Sequence, residues 1–176
     1  MSERILVAGI GNIFLGDDGF GVEVVRRLLD CRLPEGVEVA DFGIRGFDLA
    51  YALLDGYDAT ILVDTTQRGG EPGTLYVIEP DLADSNGPGQ AMIETHNINP
   101  TEVLSLVAAH GGRLGRLWVV GCEPATFGPD DGGHMGLSPP VLAAVEEAVE
   151  LVRSLIAEVR AVDGAARAVE PSAVPT

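Results

Sequence analysis

Apolar positions change their spacing along this chain in a way that spells out alternating strands and helices. Residues 4–10 (RILVAGI) form a near-continuous apolar run, the pattern of a strand buried on both faces of a parallel sheet. Gly9 and Gly11 then allow a tight turn. From Asp18 the pattern becomes helical, with Val22, Val25 and Leu28/Leu29 on one stripe. Arg26 and Arg27 fall near the C-terminal end of that helix, where its dipole favours cations. After Pro34 and Gly36, residues 37–42 (VEVADF) alternate and read as a second strand. Gly43 and Gly46 punctuate the turn into a short helix over 47–54. Residues 58–66 (DATILVDTT) are the third strand, with Asp64 towards its C-terminal end.

Residues 68–73 hold three glycines and a proline and read as a loop before a fourth strand, 74–79 (TLYVIE). No long helix precedes that strand, so it is expected to be an antiparallel edge. Residues 80–90 read as a loop. Asn99, Pro100 and Glu102 then give a helix start, as cap, first helical residue and third helical residue. His96 sits just upstream. Residues 116–122 (RLWVVGC) are the last strand, followed by an irregular loop over 123–136. Ser138, Pro139 and Pro140 open the last helix, whose stripe runs Val141, Val145, Val149, Val152, Ile156 and Val159. Residues 161–176 are rich in Ala, Pro, Gly and Ser without periodicity, and a disordered tail is expected there. Residues 1–160 are expected to form a single catalytic α/β domain.

The order β-α-β-α-β-β-α-β-α predicts a three-layer αβα sandwich around a twisted, five-stranded, mainly parallel sheet with one antiparallel edge. Right-handed crossovers place the first three strands in the order 2-1-3, with a switch point between the first and third. Asp18 and Asp64 then converge on one crevice.

The formal net charge of −16 makes nucleic acid and anionic membrane poor partners. No apolar run is long enough to span a bilayer, and the start lacks a signal-peptide layout, so a cytoplasmic protein is expected. A monomer is the default expectation. Cys31 and Cys122 form no C-x-x-C or zinc spacing and read as reduced core or near-core residues.

Two chemistries compete for the first loop. Gly9 and Gly11 match the start of the dinucleotide fingerprint, but Phe14 stands where its third glycine belongs, and Asp17 and Asp18 would repel a pyrophosphate. Alternatively Asp18, Asp64 and His96 supply two carboxylates and an imidazole, a ligand set suited to nickel or zinc. The residues alone leave open whether these three act together or serve separately as a helix-end acid, a strand-end acid and a loop histidine. Glu123, Asp130 and Asp131 read as solvated loop charge, with a place on the same rim as the alternative. His110 and His134 read as surface residues. There is no H-E-x-x-H helix and no nucleophile triad.

From residue 5 to about residue 155 the chain resembles the NiFe hydrogenase maturation endopeptidases, which trim the C-terminus of the hydrogenase large subunit. The resemblance rests on GIGNIFLGDDGFGVEVVRRL, DFGIRG, LVDTT, THNINPTEVL, VVGCEP and GLSPPV. It implies metal-ligand roles for Asp18, Asp64 and His96, and a role near the site for Asp41 as base or positioner. It implies nickel supplied by the substrate as the recognition element, other divalent ions substituting for it in crystals, and the precursor of a NiFe hydrogenase large subunit as partner. Ile44 departs from the family motif, which often carries Thr there. A non-catalytic metal- or nucleotide-binding α/β module is the alternative function.

Overall fold

The computed structural model describes residues 3–80, 100–129 and 132–167. Five strands form one sheet: β1 (Ile5–Ile10), β2 (Val37–Gly43), β3 (Ala59–Thr65), β4 (Leu75–Ile78) and β5 (Arg116–Cys122). Their order is β2-β1-β3-β5-β4. The pairs β1–β2, β1–β3 and β3–β5 are parallel, and β4 runs antiparallel on the outer edge of β5. This is the mainly parallel sheet with an antiparallel edge that the sequence pattern predicts, including the 2-1-3 order.

Helices cover both faces. Because side chains alternate across a strand, each central strand feeds two cores at once. On one face Ile5, Val7, Ala59, Ile61, Val63, Trp118 and Val120 pack beneath α1 (Phe20–Leu29) and α4 (Pro139–Arg167). On the other, Leu6, Ala8, Ile10, Leu62, Leu117 and Val119 pack beneath α2 (Gly46–Leu54) and α3 (Pro100–Ala109). Burial on both sides is why β1, β3 and β5 read as continuous apolar runs.

The seat of α1 is set by a close backbone approach. A side chain at Gly21 would begin 2.0 Å from the Val63 carbonyl oxygen and 2.4 Å from that of Ile10. Only glycine lets α1 lie in the groove between β1 and β3, which brings the residues before α1 to the switch point.

Two boundaries differ from expectation. The acidic stretch after β1 is a single 3-10 turn, Gly16–Gly19, and the α-helix begins only at Phe20. The last helix continues to Arg167, so residues 161–167 are helical and do not belong to an unstructured tail. Once the apolar stripe anchors α4, Ala165, Ala166 and Arg167 propagate it, and Gly164 costs only about 1 kcal/mol relative to Ala. Residues 168–176 lie outside the described residues. No helix among the described residues is long and apolar enough to cross a membrane.

Candidate active site

Asp18 and Asp64 meet at the C-terminal edge of the sheet. Asp18 comes from the 3-10 turn after β1, Asp64 from the end of β3, and each is only 2% exposed. Asp18 Oδ2 accepts the Asn12 N–H at 2.8 Å, and its Oδ1 accepts the Thr65 hydroxyl at 3.3 Å. Asp64 Oδ1 accepts the Thr65 N–H at 2.8 Å. Thr65 thus ties the two acids together. Burial pushes the Asp64 carboxyl well above the usual carboxylate range, and the nearby Asp18 charge adds to the push. The other Asp64 oxygen, Oδ2, is buried and has no hydrogen-bond partner among the described residues.

The Asp64 oxygen without a partner among the described residues and the Asp18 carboxyl beside it are a pair of buried acid groups at one edge of the sheet. Hard oxygen donors from two acids fit a divalent cation, and an imidazole would complete a borderline set. The expected imidazole, His96, lies outside the described residues. Among the described residues no three His, Cys, Asp or Glu side chains are grouped to hold a metal by themselves.

The neighbouring acid, Asp17, was not singled out from sequence and has a different task. It is fully buried. Its Oδ2 accepts the Ala125 N–H at 2.8 Å, the Thr126 N–H at 3.0 Å and the Ser138 hydroxyl at 2.8 Å, while Oδ1 accepts the Ser138 N–H at 2.6 Å. Its own N–H donates to the Thr126 carbonyl at 3.0 Å. Asp17 therefore fastens the turn that carries Asp18 to the β5–α4 loop and to the start of α4. In a 3-10 turn consecutive side chains point about 120° apart, so Asp17 and Asp18 face different sides of the turn.

The glycines once matched to a nucleotide fingerprint serve the chain itself. A side chain at Gly11 would begin 1.8 Å from the Asp18 carbonyl oxygen, at a φ of +133°. The close approach that a pyrophosphate would need is taken by backbone.

Asp41 lies on β2, in register with Gly9 and partly buried. Its Oδ1 is 3.6 Å from where a side chain at Gly43 would begin, at the turn whose Gly43 carbonyl accepts the Gly11 N–H. With β2 beside β1 and β1 beside β3, Asp41 stands on the strand next to β1 and two strands from Asp64. Ile44 beside it is 55% exposed.

Glu123 corrects the expectation of a solvated loop charge. It is buried, accepting the Arg68 and Gly69 N–H groups at 2.8 and 3.2 Å and the Tyr76 hydroxyl at 2.9 Å. Burial pushes its carboxyl up, but these donors outweigh that and hold it below the usual glutamate range. It stiffens the loop after β3 against the edge of the sheet. Asp130 and Asp131 lie outside the described residues. His110 and His134 are exposed, as the sequence suggests. Both cysteines are free, Cys122 buried and Cys31 partly so.

Several known proteins are similar to this chain over most of its length. The sequence profile described as hydrogenase maturation protease matches residues 22–155. The hydrogenase 2 maturation protease of Escherichia coli K12 is 32% identical over 157 residues, covering 88% of this chain and 92% of that protein. The hydrogenase expression/formation protein HupM of Azotobacter chroococcum is 35% identical over 158 residues, covering 89% of this chain and 73% of that protein. The structure of the hydrogenase maturating endopeptidase HybD from E. coli superposes with a TM-score of 0.73 at 32% identity, covering 88% of this chain and 93% of that one.

Proposed function

Because this chain belongs to the hydrogenase maturation protease family, we propose that it removes a short C-terminal extension from the nickel-loaded precursor of a NiFe hydrogenase large subunit. The observation that carries the reading is the buried Oδ2 of Asp64, without a partner among the described residues, beside Asp18 at the switch point. In this reading nickel arrives with the precursor as part of the substrate. Asp18, Asp64 and His96 supply ligands to it, and Asp41 acts as base or positioner.

Two carboxylates and one imidazole leave coordination positions open, and an ion so held polarises a carbonyl or a water. The protein's own part is binding and orientation. Asn12 and Thr65 fix the two carboxylates. Weak ligation suits a protein that must read an ion and release it. The cost of crowding two buried acids favours occupancy only when a cation is presented. In this reading the same open ligand set takes other divalent ions in crystals.

The test is direct. The purified chain is incubated with nickel-loaded and with nickel-free precursor, and the precursor mass is followed. A mass loss confined to the loaded precursor supports the reading. Equal cleavage of both would remove nickel from the mechanism, and normal cleavage by the Asp18→Ala protein would remove the site. The non-catalytic module predicts no mass change with either precursor.

A further inference from the structure

Two large apolar side chains stand in solvent on the rim of the site: Phe14 is 56% exposed and Met135 is 63% exposed. The backbone beneath them is fastened. The Gly16 N–H donates to the His134 carbonyl at 2.7 Å, the His134 N–H donates to the Phe14 carbonyl at 2.8 Å, and Leu15 and His134 form an isolated parallel bridge. A side chain at Gly133 would begin 3.1 Å from the Phe14 carbonyl oxygen, so glycine keeps the two loops close. Asp17 locks the same two loops one turn deeper. Phe14 is also joined to the site, since its N–H donates to Asn12 Oδ1 at 2.9 Å while the Asn12 N–H donates to Asp18.

A rigid backbone carrying uncovered aromatic and thioether groups is the construction of a binding surface. The ordering cost is met before the partner arrives, and Met adapts to varied apolar shapes. The charge says what the partner is. At −16 per chain, a second copy, an anionic membrane or a nucleic acid is repelled. A neutral or basic polypeptide is not. We infer that Phe14 and Met135 dock an extended segment of the precursor that carries at least one large apolar side chain and flanks the bond to be cut. This rests on the proposed function, because a protease acting at Asp18 must lay its substrate across this rim.

The experiment compares Phe14→Ser, Met135→Ser and the double variant with the unaltered chain. KM and kcat are read on nickel-loaded precursor, and Kd is read on a nickel-loaded precursor made uncleavable by substitution at the scissile bond. Both side chains are exposed, so the melting temperature should hold, with Phe14→Leu and Met135→Leu as the conservative pair. The expected result is a rise in KM and Kd of about tenfold or more in the double variant with kcat within about twofold, and near-normal binding by the leucine variants. A Kd within about twofold of the unaltered chain overturns the inference while leaving the protease reading intact. A fall in kcat at constant KM also overturns it, by moving the two residues into the chemistry. A dimer broken by Phe14→Ser would assign the face to self-association and overturn it likewise. If the unaltered chain neither binds nor cleaves the precursor, the proposed function falls and takes this inference with it.

Discussion

Replacing Asp17 should damage the protein more than its place among charged loop residues suggests. The carboxylate receives four hydrogen bonds, from two backbone N–H groups of the β5–α4 loop and from both the N–H and the hydroxyl of Ser138. Hydrogen bonds to an ionised group are worth about 1.5–3 kcal/mol each, but water reaches the freed donors in the variant, because Ala125 and Thr126 are exposed. The net cost of Asp17→Ala is therefore about 3–5 kcal/mol and not the full sum. Asp17→Asn keeps one oxygen. Turned to serve the three donors at Oδ2, it sets its own NH2 against the Ser138 N–H, where the present separation is 2.6 Å. That is one charged bond lost and a donor facing a donor, about 2–3 kcal/mol. Ser138→Ala loses only the hydroxyl bond, about 1.5 kcal/mol. At about 2–4 °C per kcal/mol for a chain of this length, the melting temperature should fall in the order Ala, Asn and then the serine variant, by as much as about 10 °C or more for Ala. Urea unfolding of the three variants at neutral pH measures this. An Asp17→Ala protein within about 1 kcal/mol of the unaltered chain, or a serine variant worse than it, would refute the latch.

Three other buried groups, Asp64, Glu123 and Cys122, each give a measurable outcome. Asp64→Asn should lose more than about 100-fold in cleavage, since even the outer partners of ligands cost 10–100-fold. The same variant should match or exceed the unaltered chain in melting temperature. Burial and Asp18 raise the Asp64 carboxyl, so its ionisation opposes folding increasingly as pH rises above about 4, and the amide removes that penalty. A melting temperature well below the unaltered chain at pH 7 would contradict this. Glu123 behaves oppositely. Its carboxyl lies below its unfolded value, so its stabilisation is complete above about pH 4.3 and is lost as pH falls through the folded value; Glu123→Gln should flatten the stability profile there, read by amide exchange at Arg68 and Gly69. The Cys122 thiol is pushed up to about 12 by burial first, then by the charges of Asp17 and Glu123. Iodoacetamide at pH 8 should therefore label Cys31 in the folded protein and reach Cys122 only in denaturant, as mass spectrometry of the peptides will show.

The sheet was legible because burial on both faces leaves unbroken apolar runs, and β1, β3 and β5 carry them. The edge strand was legible from what precedes it, a loop too short to hold a crossover helix. Asp18 and Asp64 were legible as a pair only through topology, because nothing in their separation along the chain brings them together. Asp17 was missed because its partners Ala125, Thr126 and Ser138 are contributed largely through backbone groups, which leave no mark on residue identity. Glu123 was misread for a related reason. A glutamate in a Gly- and Pro-rich stretch looks solvated, and its burial depends on how β4 and the loop before it close over β5. The helical continuation to Arg167 was hidden by Gly164, whose local cost is small beside the packing that anchors α4.

These buried acids divide the labour around one loop. Asp17 and Glu123 are satisfied by several donors each, so their carboxyl groups serve the structure. Asp64 keeps one oxygen with no partner among the described residues and lies against another acid. In a stable fold a buried acid with an unsatisfied oxygen beside a second acid calls for an explanation, and a functional role is one. Natural sequences place such a penalty where function needs it and offset it elsewhere. The Asp17 latch is that offset, because it holds the turn on which Asp18 rides. Asp17 and Asp64 therefore have opposite relations to stability. Removing Asp17 should weaken the fold and blunt the site together, whereas neutralising Asp64 should spare the fold and silence the site.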